Sequence, residues 1–282
     1  MFHVRILSSV FFLIVASLIH TGSVHPCSYP WQDKHEESEA IANRISFPEG
    51  YERIETVDGT FENWLRHLPL KKGTPAVYLY NDRAKPNQDA HFAVVDIDAG
   101  SKNLQQCADA IIRLRAEYLY SLQSYEKIYF NFTSGDRAGF KEWVDGYTAI
   151  VKGNKVTWVR EKARDSSHRS LRRYLNVVFM YAGSYSLSRE LQGVQDVNEM
   201  QIGDVFIEGG FPGHAVIVVD MAVDEETGKR LFLLAQSYMP AQDIHILKNP
   251  ADSSLSPWYE LDFGKVLYTP EWAFDKDDLR RF

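Results

Sequence analysis

Cysteine is scarce in this sequence: two residues, Cys27 and Cys107, among 282. An exported scaffold held together by disulfides carries more, so the fold has to rest on a hydrophobic core. Long basic runs are also missing, and the formal net charge is −7. That excludes the electrostatic footprint of a nucleic-acid binder. No apolar run reaches the roughly 20 residues that span a bilayer. His25, His35, His67, His91, His168 and His245 show neither HExxH nor paired-ligand spacing, so no metal or other cofactor is expected. No repeat of solenoid period occurs, and no shift in composition divides the chain.

The N-terminus has a cation, Arg5, followed by an apolar run of about 14 residues and then by small residues at Thr21, Gly22 and Ser23. This order reads as a secretory signal over residues 1–23, with cleavage after Ser23; a retained anchor helix is the competing reading. Cys27 follows Val24-His25-Pro26, which argues against a lipid on that cysteine. The reading is therefore of a signal peptide (1–23), an irregular linker (24–35) and one α+β domain (36–282). The product is exported to the periplasm, envelope or exterior and has no membrane span after processing.

Within the domain, Thr60 caps a helix over FENWLRHL, which ends at Pro69. PAVYLY and HFAVVDI read as a hairpin with a long loop. Leu104, Cys107, Ile111, Leu114, Tyr118 and Leu122 recur at three- and four-residue steps, giving one buried stripe on a helix with Asn103 as its cap. TAIVKGNKVTWVRE reads as a hairpin turning at Gly153–Asn154. A second helix over HRSLRRYLNVVFMYAG is capped by Ser166 or Ser167 and closed by Gly183. The last third gives four strands: GDVFIEG, GHAVIVVDM, RLFLLAQSY and DIHILKN. An antiparallel sheet packed against two long helices is the expected architecture.

Cys107 lies at a helix start, where free N–H groups and the macrodipole favour a thiolate. Gln105 and Gln106 beside it are candidate oxyanion and substrate donors. His214 opens an apolar strand directly after Gly213 and is the candidate base. Gln236, near the end of the following strand, is the candidate for orienting its imidazole. The other reading of Cys107 is a small core-filling side chain. Asp96 and Asp98 alternate along a strand-like run and form an alternative carboxylate pair. Phe130, Phe132, Phe140, Trp143 and Tyr147 suit a ligand groove or, more simply, a core. Asp204 suits a turn.

The run MQIGDVFIEGGFPGHAVIVVD, with Cys107 and Gln236, resembles the core of NlpC-type papain-like cell-wall hydrolases. The shared order is a cysteine at a helix start, a histidine opening a strand and a polar residue on the next strand. The resemblance implies a papain-like arrangement in which Cys107, His214 and Gln236 hydrolyse a peptide or peptidoglycan-like amide. The stretches LQQCADAIIRLRAEYL, FNFTSGDRAGF and LAQSYMPAQDIHIL resemble, over nearly the whole mature chain, a bacterial domain family of unknown function found in exported proteins. That family implies export and one domain, and names no reaction. A non-catalytic envelope binding protein on the same fold is the alternative function.

Overall fold

Apolar runs set the strands, and the computed structural model describes them within residues 28–282. Helices are α1 (Ile41–Arg44), α2 (Phe61–Arg66), α3 (Cys107–Ser121), α4 (Phe140–Val144), α5 (His168–Tyr181) and α6 (Ser184–Glu190). In the first half the strands are β1 (Glu52–Arg53), β2 (His91–Val94), β3 (Tyr129–Asn131), β4 (Arg137–Gly139), β5 (Tyr147–Lys152) and β6 (Lys155–Arg160). After them come β7 (Gln192–Gly193), β8 (Val205–Glu208), β9 (His214–Val223), β10 (Arg230–Gln236) and β11 (His245–Leu247). The C-terminal segment adds β12 (Tyr259–Glu260), β13 (Val266–Tyr268), β14 (Ala273–Asp275) and β15 (Leu279–Arg281).

The main sheet runs β2-β11-β10-β9-β8-β15-β7, with β1 pairing on β9 and β12 on β10. Its pairings are antiparallel. The fold is therefore mixed helix and antiparallel sheet. Side chains of a strand alternate between the two faces, and every residue of β9 from His214 to Ala222 is buried. Both faces of that strand are consequently covered, which is why its sequence is apolar apart from His214 and Asp220 rather than alternating. Helices α2 and α3 pack on β9, and Phe206, Phe232, Phe263 and Phe274 form an aromatic cluster beside it.

Several expectations hold in the structure. Thr60 caps α2 by accepting the N–H of Asn63, Ser167 caps α5 by accepting that of Ser170, and β5 and β6 turn at Gly153–Asn154. The four late strands are neighbours in the order expected of a meander.

Others are corrected. Residues 75–80 do not pair with β2. They close on their own loop, where Lys85 and Leu79 donate backbone bonds to Val77 and Arg83, and β2 pairs instead with β11. Helix α3 begins at Cys107 with Gln106 as its cap; the Asn103 side chain instead accepts the N–H of Ala241. Gly183 does not close α5 but caps α6. Of the two helices expected on the sheet, α3 lies on β9 and β10, while α5 packs on α4. The flank of α5 is also tied to α3, where His168 meets Glu117.

Phe130, Phe132, Phe140 and Trp143 are core residues, and Tyr147 is exposed. Asp96 and Asp98 lie beyond the end of β2: Asp96 accepts from Gln32 at 2.6 Å and Asp98 pairs with Arg172 at 2.8 Å. Both carboxylates are engaged in holding loops. Asp204 fixes a turn, accepting the N–H of Gln201 and a forked contact from Arg281. The linker from Ser28 onward is irregular, yet Tyr29 is buried and donates its hydroxyl to the carbonyl of Trp64. The signal segment and Cys27 lie outside the described residues.

Candidate functional site

Cys107 is the first residue of α3, and so its sulfur sits where the helix leaves N–H groups unused. It is a free, half-buried thiol. His214 opens β9, held there by a backbone pairing with Glu208. Gly213 sets its position: a Cβ there would come within 2.6–2.7 Å of the Gly210 and Glu208 carbonyl oxygens, so the backbone approach admits no side chain. Cys107 and His214 both line one cavity of about 500 Å³, together with Asp109, Tyr238, Met239 and Trp272. The N–H of Ala215, next to His214, favours the thiolate form of Cys107. Topology has therefore brought the helix tip to the mouth of the strand.

Behind the imidazole, His214 Nε2 lies 2.7 Å from Gln236 Oε1. The Gln236 amide nitrogen donates to Glu271 Oε2 at 2.8 Å and approaches His245 Nε2 at 3.3 Å. Lys85 forms an ion pair with Glu271. A single set of donors and acceptors satisfies this chain. The carboxylate of Glu271 fixes the amide so that Oε1 faces His214, which requires the proton on His214 Nε2. Nδ1 of His214 is then left with a lone pair. The ring is framed by Tyr238, Trp272 and Phe274, with centroids 4.7–5.8 Å away.

Electrostatics follow from the burial. Loss of water pushes the Cys107 thiol up to about 11, and Asp109 adds to the rise, while the N–H groups of Ala108, Ala215 and Cys107 oppose it. Burial lowers His214 to about 4, against the Gln236 hydrogen bond and with help from the Lys85 charge. His245 is lowered to about 3, first by burial and then by Lys85. At neutral pH the resting pair is a thiol beside a neutral imidazole.

These two histidines make stability acid-sensitive. The folded values lie below the unfolded value of about 6.5, so the unfolded chain binds the extra protons from roughly pH 6.5 down to about 4 for His214 and about 3 for His245. Stability therefore falls as pH drops through that window, by on the order of 3 kcal/mol for His214 alone, and levels off below the folded values. Urea unfolding at pH 7, 5.5 and 4.5 measures this loss, and His214→Gln should remove part of the slope.

The structure brings Cys107, His214 and Gln236 together. Gln106 also lines the cavity, although its amide is donated to Asn103. Gln105 does not join the site: it is buried, and its oxygen accepts from Arg113 at 3.1 Å. Residues that sequence reasoning missed are Asp109, Lys85, Tyr238, Glu271 and Trp272. Asp109 carried a local signal, a carboxylate in the first turn of the helix begun by Cys107, and Tyr238 follows Gln236 by two residues. Lys85, Glu271 and Trp272 reach the site from distant loops.

A family model described as "Domain of unknown function (4846)" matches residues 41–281. The chain belongs to that family. No curated protein and no solved structure matches it. The match takes in Cys107, His214, Gln236, Lys85 and Glu271, so the whole cavity and its supporting network belong to the domain. Among the described residues, no helix of this family member is long and apolar enough to cross a membrane.

Proposed function

We propose that this protein is an exported cysteine hydrolase acting on a peptide or cell-wall amide, with a papain-like arrangement of its site. The observation that carries the reading is the His214–Gln236–Glu271 chain behind a helix-start cysteine that shares its cavity. Cys107 gives its proton to His214 Nδ1 as sulfur attacks the carbonyl carbon. The imidazolium that forms is held by Gln236 Oε1 and returns the proton to the leaving amine as the C–N bond breaks. Water, activated by the same imidazole, then cleaves the thioester and restores the thiol. The N–H groups of Cys107, Ala108 and Ala215 favour negative charge on the sulfur.

The raised thiol favours a second reading, a binding module in which Cys107 stays protonated. Alkylation separates the two. In the hydrolase, iodoacetamide modifies Cys107 at pH 7 through the imidazole, and His214→Ala slows the reaction at least about tenfold with the fold intact by circular dichroism. Cys107 that stays inert up to pH 9 in folded protein overturns the hydrolase and leaves the binding module.

A further inference from the structure

Asp109 occupies the third position of α3 and lines the same cavity as Cys107. One carboxyl oxygen, Oδ2, accepts the Gln106 N–H at 3.1 Å. The other, Oδ1, is buried and has no hydrogen-bond partner among the described residues. The residue as a whole is 5% exposed. A buried polar atom with no partner is uncommon and calls for one. No lysine or arginine lines the cavity, so nothing there compensates a carboxylate. Burial accordingly holds Asp109 well above the usual carboxylate range. With Oδ2 already accepting an N–H, the acid proton belongs on Oδ1. The terminal torsion of an aspartate is soft, so Oδ1 can turn into the cavity for a substrate, giving up the Gln106 N–H bond in exchange for the one it gains there.

We propose that Asp109 reads the substrate of this site, donating its Oδ1 hydrogen to a carbonyl oxygen next to the scissile bond. This rests on the hydrolase reading. Residues two apart on a helix differ by about 200° around its axis. Asp109 therefore does not face the carbon that Cys107 attacks, and it meets the oxygen of a neighbouring unit. A chain with a carbonyl at each short step, that is, a peptide, supplies one. Phe211 and Met239 stand at the cavity wall, 93% and 54% exposed. Together with the lack of cationic groups, they match uncharged acyl chains with apolar side chains.

The test uses the full chain and its Asp109→Ala and Asp109→Asn variants, with the adduct located on Cys107 by peptide mass spectrometry. Three probes are compared: acetyl-Ala-Ala-chloromethyl ketone, the same ketone with a free amine, and methyl methanethiosulfonate, which carries no carbonyl. Dividing the acetylated ketone's rate by the methanethiosulfonate rate removes any change in the thiol itself. That ratio is expected to fall about tenfold in Asp109→Ala, the loss of one hydrogen bond, and less than about threefold in Asp109→Asn, which keeps a donor. An unchanged ratio in Asp109→Ala overturns the proposal while leaving the hydrolase standing. A preference for the free amine that both variants lose equally also overturns it, because Asp109 would then be a cation site. Absence of any adduct on Cys107 overturns both the hydrolase and the role of Asp109.

Discussion

Glu271→Ala is expected to lower the unfolding free energy by about 3–5 kcal/mol and, in the molecules that stay folded, to slow alkylation of Cys107. Lys85 has 4% of its side chain exposed and Glu271 12%, so the pair is largely out of water. Removing the carboxylate strands an ammonium group that burial already pushes toward losing its proton. The catalytic consequence comes from Gln236. Without Glu271 to accept from its nitrogen, the amide is free to turn and present NH₂ to His214. The imidazole must then accept on Nε2 and carry its proton on Nδ1, the tautomer that cannot take a proton from sulfur.

A double variant, Lys85→Met with Glu271→Leu, separates these effects. It removes the stranded charge and should recover most of the stability in urea unfolding, yet the alkylation rate should stay low because the amide keeps only its longer, 3.3 Å contact to His245. Recovery of both would reduce Glu271 to a purely structural role.

How much of this was legible in the chain depends on distance along it. Strands β8 to β11 were readable because burial on both faces writes a continuous apolar run, and the turns between them are rich in glycine, proline or charge. Thr60 and Ser167 were readable because a cap acts within three residues. The hairpin at residues 75–80 misled for the same local reason: its composition is that of a strand, while its backbone bonds go to residues 83 and 85 of its own loop and to the distant residues 241 and 243. At the site, Cys107, His214 and Gln236 each sit at the end of a regular element, where a polar residue interrupts an apolar pattern. Gln105 has the same composition signal as Gln106, but one step along the chain turns it toward Arg113. Lys85 and Glu271 lie 186 residues apart in irregular segments, and no periodicity points from one to the other. Only tertiary packing makes them neighbours of Gln236.

Asp220→Ala should cost a comparable 3–5 kcal/mol, at the far end of the same strand from the site. Asp220 lies on β9 with no exposed side-chain surface. Its Oδ2 accepts from Arg53 Nε at 2.7 Å and its Oδ1 from Arg66 Nε at 2.6 Å. Arg53 also donates to the carbonyl of Ile45 and Arg66 to that of Ile54, so one carboxylate ties β1 and α2 onto the central strand. Alanine would leave two guanidinium groups facing each other; Arg66 is almost wholly buried, and Arg53 has only 17% of its side chain in water. Six residues of strand separate Asp220 from His214, about 20 Å at the usual rise. The expected result is a large drop in the urea midpoint with little change in the alkylation rate of Cys107 in folded molecules. A loss below about 1 kcal/mol would mean that the arginines find other partners. A fall in alkylation equal to that in Glu271→Ala would mean that the site responds to general loosening of β9 rather than to the Gln236 network.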